Sequence, residues 1–199
     1  MTIPFGIRFI QATFQPEDFF VSIRQERSWL RPALHLLILS VWLSTGSVLA
    51  WSLGVPGDTP LNSSLGAQMD IYPYWRDTLL PAYGGWSYPL AAGLIVFEMW
   101  VITFIWTPVV FGIFRYLGGA KEPGGLLRAF QGFVYGLTPC AFGGFVPYLA
   151  LLTGVMATLL QFYRGPAITL KNRSVVPLLA VSLFLALSIA RYWQGNLLP

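Results

Sequence analysis

The stretch AFQGFVYGLTPCAFGGFVPYLALLTGVMATLLQFY, residues 129–163, decides the fold. It holds 35 positions without a charged side chain, and as one helix it would be about 53 Å long at 1.5 Å rise per residue. The hydrocarbon core of a bilayer is only about 30 Å thick, so an apolar run of this length must fold back on itself. Gly143, Gly144 and Pro147 supply the turn chemistry. Two spans near 126–143 and 147–163 are expected from it.

Three further apolar windows are 33–53, 88–114 with Glu98 as its single charge, and 174–190, the last extended by Trp193 to a span of 174–193. Of the 199 residues 55% are hydrophobic and 10% charged, whereas soluble domains carry about 25% charged residues. A chain this short cannot enclose so much apolar surface in a soluble core, but segments of about 20 residues can turn it toward lipid. The expected organisation is a cytoplasmic segment 1–31 and a five-span membrane domain 32–194 with an outer loop 54–87.

The positions of Lys and Arg test the count, because cytoplasmic loops collect positive charge. Five spans with the N-terminus inside leave Arg8, Arg24, Arg27, Arg31, Arg115, Lys121, Arg128, Arg164, Lys171 and Arg173 on the cytoplasmic side. Only Arg76 and Arg191 of the 12 basic residues then lie outside. A single crossing by 129–163 would carry Arg164, Lys171 and Arg173 outward and weaken the asymmetry. The net charge of +4 is thus accounted for by topology. The basic residues form short groups beside apolar runs instead of one stripe, which argues against a nucleic-acid partner. Expected location is the plasma membrane, in a bacterium the inner membrane, with a periplasmic C-terminus.

Residues 1–31 bear Arg8, Glu17, Asp18, Arg24, Glu26, Arg27 and Arg31 ahead of the first apolar run, unlike a cleaved signal peptide. Ile3, Ile7, Ile10 and Phe14 recur at helical spacing and form one apolar stripe. A second helix should start at Pro16-Glu17-Asp18, with proline at a first helical position and acids at the positive end of the dipole. Its Phe19, Phe20 and Ile23, with Leu30 and flanking arginines, predict amphipathic helices lying in the cytoplasmic interface.

Glu98 lies about nine residues, roughly 14 Å, into its span. An ionised carboxylate at that depth is costly unless paired, so it should face the bundle interior, as a packing residue or as a proton, cation or coupling site. Pro139 removes a backbone donor and is expected to kink the third span beside Tyr135 and Thr138, and Pro108 the second. Small residues Gly132, Gly136, Cys140 and Gly144 on the third span, and Ala150, Gly154 and Thr158 on the fourth, allow close helix approach. Trp51, Trp75, Trp86 and Trp193 fall at the outer boundary, where indoles anchor among headgroups. His35 reads as a packed or interfacial histidine and the lone Cys140 as a packing residue. Catalytic motifs such as HExxH, GxSxG and a Walker loop are missing, and neither a metal site nor a cofactor is expected.

From Pro108 onward the order of features resembles the membrane domain of the Ypt-interacting-protein (Yip) family, especially its short bacterial members. Phe114-Arg115-Tyr116-Leu117-Gly118-Gly119 is similar to the end of that family's second span and its glycine-rich loop. Phe133-Val134-Tyr135-Gly136-Leu137-Thr138-Pro139 is similar to its third span, and Phe162-Tyr163-Arg164-Gly165 to the exit from its fourth. Upstream, Pro16 to Phe20 and the charged stretch after it resemble the entry to bacterial members. The resemblance implies an all-α five-helix transmembrane bundle with a cytosolic N-terminus. Eukaryotic members are linked to Rab-type GTPases, but their acidic Asp-Leu-Tyr-Gly-Pro element before the first span is absent here. Some bacterial members are implicated as accessory partners of transporters.

These readings together point to a non-enzymatic accessory or scaffold subunit. Its partners are the bilayer and other membrane-protein subunits, such as a transporter or energy-converting complex. The alternative is a small transporter or channel with a midplane acid at Glu98.

Overall fold

A computed structural model describes residues 5–23, 26–55, 67–117, 125–142, 164, 171–172 and 174–176. These are helical, with no strand among the described residues. The expected fourth span 147–163, almost all of the fifth, and the hairpin residues Gly143, Gly144 and Pro147 lie outside them.

Two short helices come first, α1 (Phe5–Phe14) and α2 (Pro16–Ser22). Pro16 occupies the first turn of α2, where its missing N–H costs nothing, and Glu17 and Asp18 sit at the positive helix end. The long helix α3 (Leu30–Ser52) then covers the first apolar window. Its buried Ser40, Ser44 and Ser47 donate to the carbonyls of Leu37, Val41 and Leu43 at 2.9, 3.0 and 2.8 Å. Each hydroxyl is thereby satisfied within its own helix, as an apolar environment requires.

Next among the described residues come α4 (Ala67–Tyr74), a π-helical turn (Trp75–Leu79) and α5 (Leu80–Tyr83). Pro73 and Pro81 remove ladder donors around this turn, which suits the wider π geometry. Gly84, at φ +52°, then breaks the helix, a backbone conformation that L side chains resist. Beyond it, α6 (Ser87–Gly112) continues through Pro108 and ends in a second π-turn, Ile113–Leu117. The kink expected at Pro108 does not interrupt α6, whose proline is exposed.

Among the described residues, two helical runs are long and apolar enough to cross a membrane, Leu30–Ser52 and Ile71–Leu117. The second counts 47 residues, about 70 Å of helix, and the break at Gly84 separates α4 and α5 from α6, which alone is about 39 Å long.

Among the described residues the next long element is α7 (Leu126–Gly136), buried all round from Ala129 to Gly136. It packs on both α6 and α3, which also pack on each other. A span over 126–143 kinked at Pro139 was expected; the α-helix stops at Gly136 and passes through Leu137 into a 3-10 turn, Thr138–Ala141. Two features explain the early stop. Pro139 has no N–H to donate and disfavours α geometry at the residue before it. The Thr138 hydroxyl also takes over the Tyr135 carbonyl, at 2.6 Å.

Residues 174–176 contribute one further contact: Val176 packs on Val110 near the end of α6 and on Phe133 of α7.

Candidate functional site

The concentration of buried polar side chains lies where α1, α2, α3 and α7 meet. Arg8 on α1 is only 5% exposed. Its Nη1 donates to the Tyr135 hydroxyl at 3.0 Å and lies 3.4 Å from Oε2 of Glu26. Glu26 also pairs with Arg31, whose Nε is 3.6 Å from Oε1. A carboxylate buried between two guanidiniums is compensated where a single buried charge would be costly.

Backbone at the end of α2 is held by α7. Arg128 donates to the Ile23 carbonyl at 2.9 Å, and the Gln131 amide donates to the Glu26 carbonyl at 3.1 Å. The Ile23 carbonyl, which also accepts the Glu26 backbone N–H at 2.9 Å, and the Glu26 carbonyl are thus tied to α7.

Above this layer, His35 Nε2 is 2.9 Å from Thr138 Oγ1. Thr138 already donates its one hydroxyl proton to the Tyr135 carbonyl, so the threonine oxygen accepts and the Nε2–H of His35 donates. The imidazole is stacked on Phe9 at 4.1 Å and meets the Tyr135 ring edge-on at 4.8 Å. Ala12, Phe19, Phe20 and Ile23 close over Tyr135 as one buried cluster.

Tyr135, Thr138 and Pro139, expected beside a kink, are therefore brought together, all buried. Glu98 stands on α6, half-buried, between Ile95 and the partly buried Met99. Gly132 and Gly136 are buried on α7, and Cys140 packs on Leu39 and Leu43 of α3. The small-residue surface around Cys140 thus serves the first span, while Gly144, Ala150, Gly154 and Thr158 lie outside the described residues.

Two expected anchors need correction. Trp51 and Trp75 are each 4% exposed and meet Tyr72 and Tyr88 in edge-on and tilted ring contacts within one cluster. The Trp75 indole donates to Ser87 Oγ at 3.1 Å. Rings enclosed this way have no edge left for headgroups. Trp86 is exposed, and Trp193 lies outside the described residues.

In the interfacial reading of residues 1–31, the part that changes is the set of apolar residues at α2. Phe19, Phe20 and Ile23 pack into the bundle and not on lipid, while Leu30, at the start of α3, is exposed. The stripe of Ile7, Ile10 and Phe14 faces outward and the opposite face of α1 is the one that docks.

Arg8, Glu26, Arg128 and Gln131 were not singled out from sequence. The available signal was Arg8 itself, a charge on an apolar helix with an acid 18 positions away. Among the described residues, no group of three or more His, Cys, Asp or Glu could hold a metal ion. No protein-family model, curated protein or solved structure matches this chain.

Proposed function

We propose that the chain is a five-span membrane protein with a cytoplasmic N-terminus that acts as a non-enzymatic accessory or scaffold subunit beside a larger membrane assembly. The observation that carries this reading is the outward surface of α6. Leu90, Leu94, Phe97, Val101, Phe104 and Ile105 are all exposed along it, whereas its hydroxyls at Thr103 and Thr107 are buried and bonded to Met99 and Thr103 carbonyls. Such a helix is apolar on the side that water would occupy in a soluble protein, which suits lipid or the helix of a neighbouring subunit.

Support for five spans comes from the charge asymmetry and from Val176. It packs beside Val110, at the end of α6 where a fifth span would begin if 129–163 crosses twice. The order of features shared with the Yip family supports the same architecture. The mutual bonding of Arg8, Glu26, Tyr135, His35 and Thr138 favours a structural use of these polar groups over a binding one.

Blue-native electrophoresis after mild detergent extraction, followed by mass spectrometry of the band, tests the proposal. The expected result is migration with a larger complex containing other membrane subunits. Migration solely as a monomer or homo-oligomer would overturn it.

A further inference from the structure

Helix α1 is amphipathic in the reverse sense to a helix of a soluble protein. Its charged residue, Arg8, is buried, and the side-chain oxygens of Gln11 and Thr13 are also turned away from the surface. Its apolar residues do the opposite: Ile10 is 59% and Phe14 68% exposed, with Ile7 exposed beside them. In water this orientation would be upside down, since burying a guanidinium while exposing three large apolar side chains opposes both solvation terms. Against hydrocarbon both terms change sign: the apolar stripe is at home and the charge must turn to a protein partner.

The stripe also has a neighbour. Phe14 meets Phe142 edge-on at 5.7 Å, and Phe142 is itself exposed. The adjoining Ala141 carbonyl accepts the Trp42 indole N–H at 2.9 Å. Trp42, with Ile38 and Val41, belongs to the outward face of α3. The outward faces of α1 and α3 therefore run into one another without a polar seam at this point.

We infer that the Ile7–Ile10–Phe14 face of α1 is embedded in the acyl-chain region of the bilayer, as a lateral extension of the lipid-facing surface of α3. The N-terminal segment is then part of the membrane domain, docked by its polar side, and not a cytoplasmic arm. This inference rests on the membrane reading above and narrows it to one helix and one occupant, lipid acyl chains.

Single-cysteine variants Ile10→Cys, Phe104→Cys and Arg27→Cys, each in a Cys140→Ala background, test it. The full chain is labelled with a polarity-sensitive fluorophore and reconstituted in phosphatidylcholine vesicles. Emission is then measured against a nitroxide on the lipid acyl chain and against aqueous iodide. The expected result is that the probes at positions 10 and 104 lose most of their emission to the nitroxide and little to iodide, with the reverse at position 27. Iodide quenching at position 10 with nitroxide quenching at 104 would overturn the inference and leave the membrane reading standing. Protection of position 10 from both quenchers would mean that protein covers the face, and would overturn it equally. Iodide quenching at position 104 would overturn the membrane reading and this inference with it.

Discussion

Each end of the helical assembly holds a short peripheral segment against the long helices, and the two ends do so by different physics. Where α1 and α2 dock, the holding groups are directional: Arg8, Glu26, Arg128, Gln131 and Tyr135 make bonds with defined donors and acceptors. Where α4 and α5 dock, the holding groups are rings. Trp51, Tyr72, Trp75 and Tyr88 contact one another at centroid distances of 5.2 to 5.8 Å, and Arg76 lies 5.7 Å over the Tyr72 ring. Ring contacts tolerate small shifts, because their attraction is spread over many atoms. A buried guanidinium tolerates almost none, because each bond lost leaves a charge without compensation. The polar end fixes register; the aromatic end supplies bulk.

Substitutions at each end should separate these two modes. The largest effect is expected from Arg8→Met, which leaves Glu26 deprived of its buried partner and should destabilise the fold by about 3–5 kcal/mol. Denaturant titration of the protein in detergent micelles would read it, and Glu26→Gln added to Arg8→Met should restore part of the loss. Next is Tyr135→Phe, which keeps the ring among Ala12, Phe19 and His35 but deletes the acceptor of the Arg8 bond. A hydrogen bond to a charged group contributes about 1.5–3 kcal/mol. In a double-mutant cycle with Arg8→Met the Tyr135→Phe effect should shrink markedly, as the two residues share one bond. Additive losses would show that the polar end is not a coupled unit.

The smallest effect belongs to the aromatic end. Trp75→Phe retains a ring in the cluster and loses the bond to Ser87, a change of about 1 kcal/mol in the same titration. Coupling to Trp51→Phe should be weak. A loss as large as that of Arg8→Met would erase the distinction between the two ends.

Much of the helical framework was legible before any coordinates. The uncharged run ahead of Leu53 and the window around Glu98 match α3 and α6, because length and hydropathy alone select helices that can cross a bilayer. The disturbance at Pro139 follows from sequence, but its form, an end to the α-helix at Gly136, does not. Transmembrane helices commonly absorb a proline as a kink, and here the Thr138 hydroxyl makes termination cheaper by capturing the Tyr135 carbonyl. The polar network was hardest to see. Apolar periodicity located the stripe of Ile7, Ile10 and Phe14, but not which side of it docks. Arg8 and Tyr135 are separated by 127 positions, so no local pattern links them. Tyr135 and Thr138 were noticed through the adjacent proline, whereas His35, their partner across 103 positions, looked like an ordinary packed ring. Trp51 and Trp75 were read as anchors because sequence reports how near an indole is to the boundary, not whether another ring already covers it.

The place where α7 stops being an α-helix bears on how the molecule can move. Just beyond that stop, His35 of α3 is bonded to Thr138 at the start of the 3-10 turn, and Trp42 of the same helix is bonded to the Ala141 carbonyl at its end. The two bonds are set seven residues apart on α3, about 10 Å at helical rise, and only three residues apart on the 3-10 turn. A translation of α7 along α3 by even one residue would break both at once. Axial sliding along α3 is therefore opposed by both bonds at once.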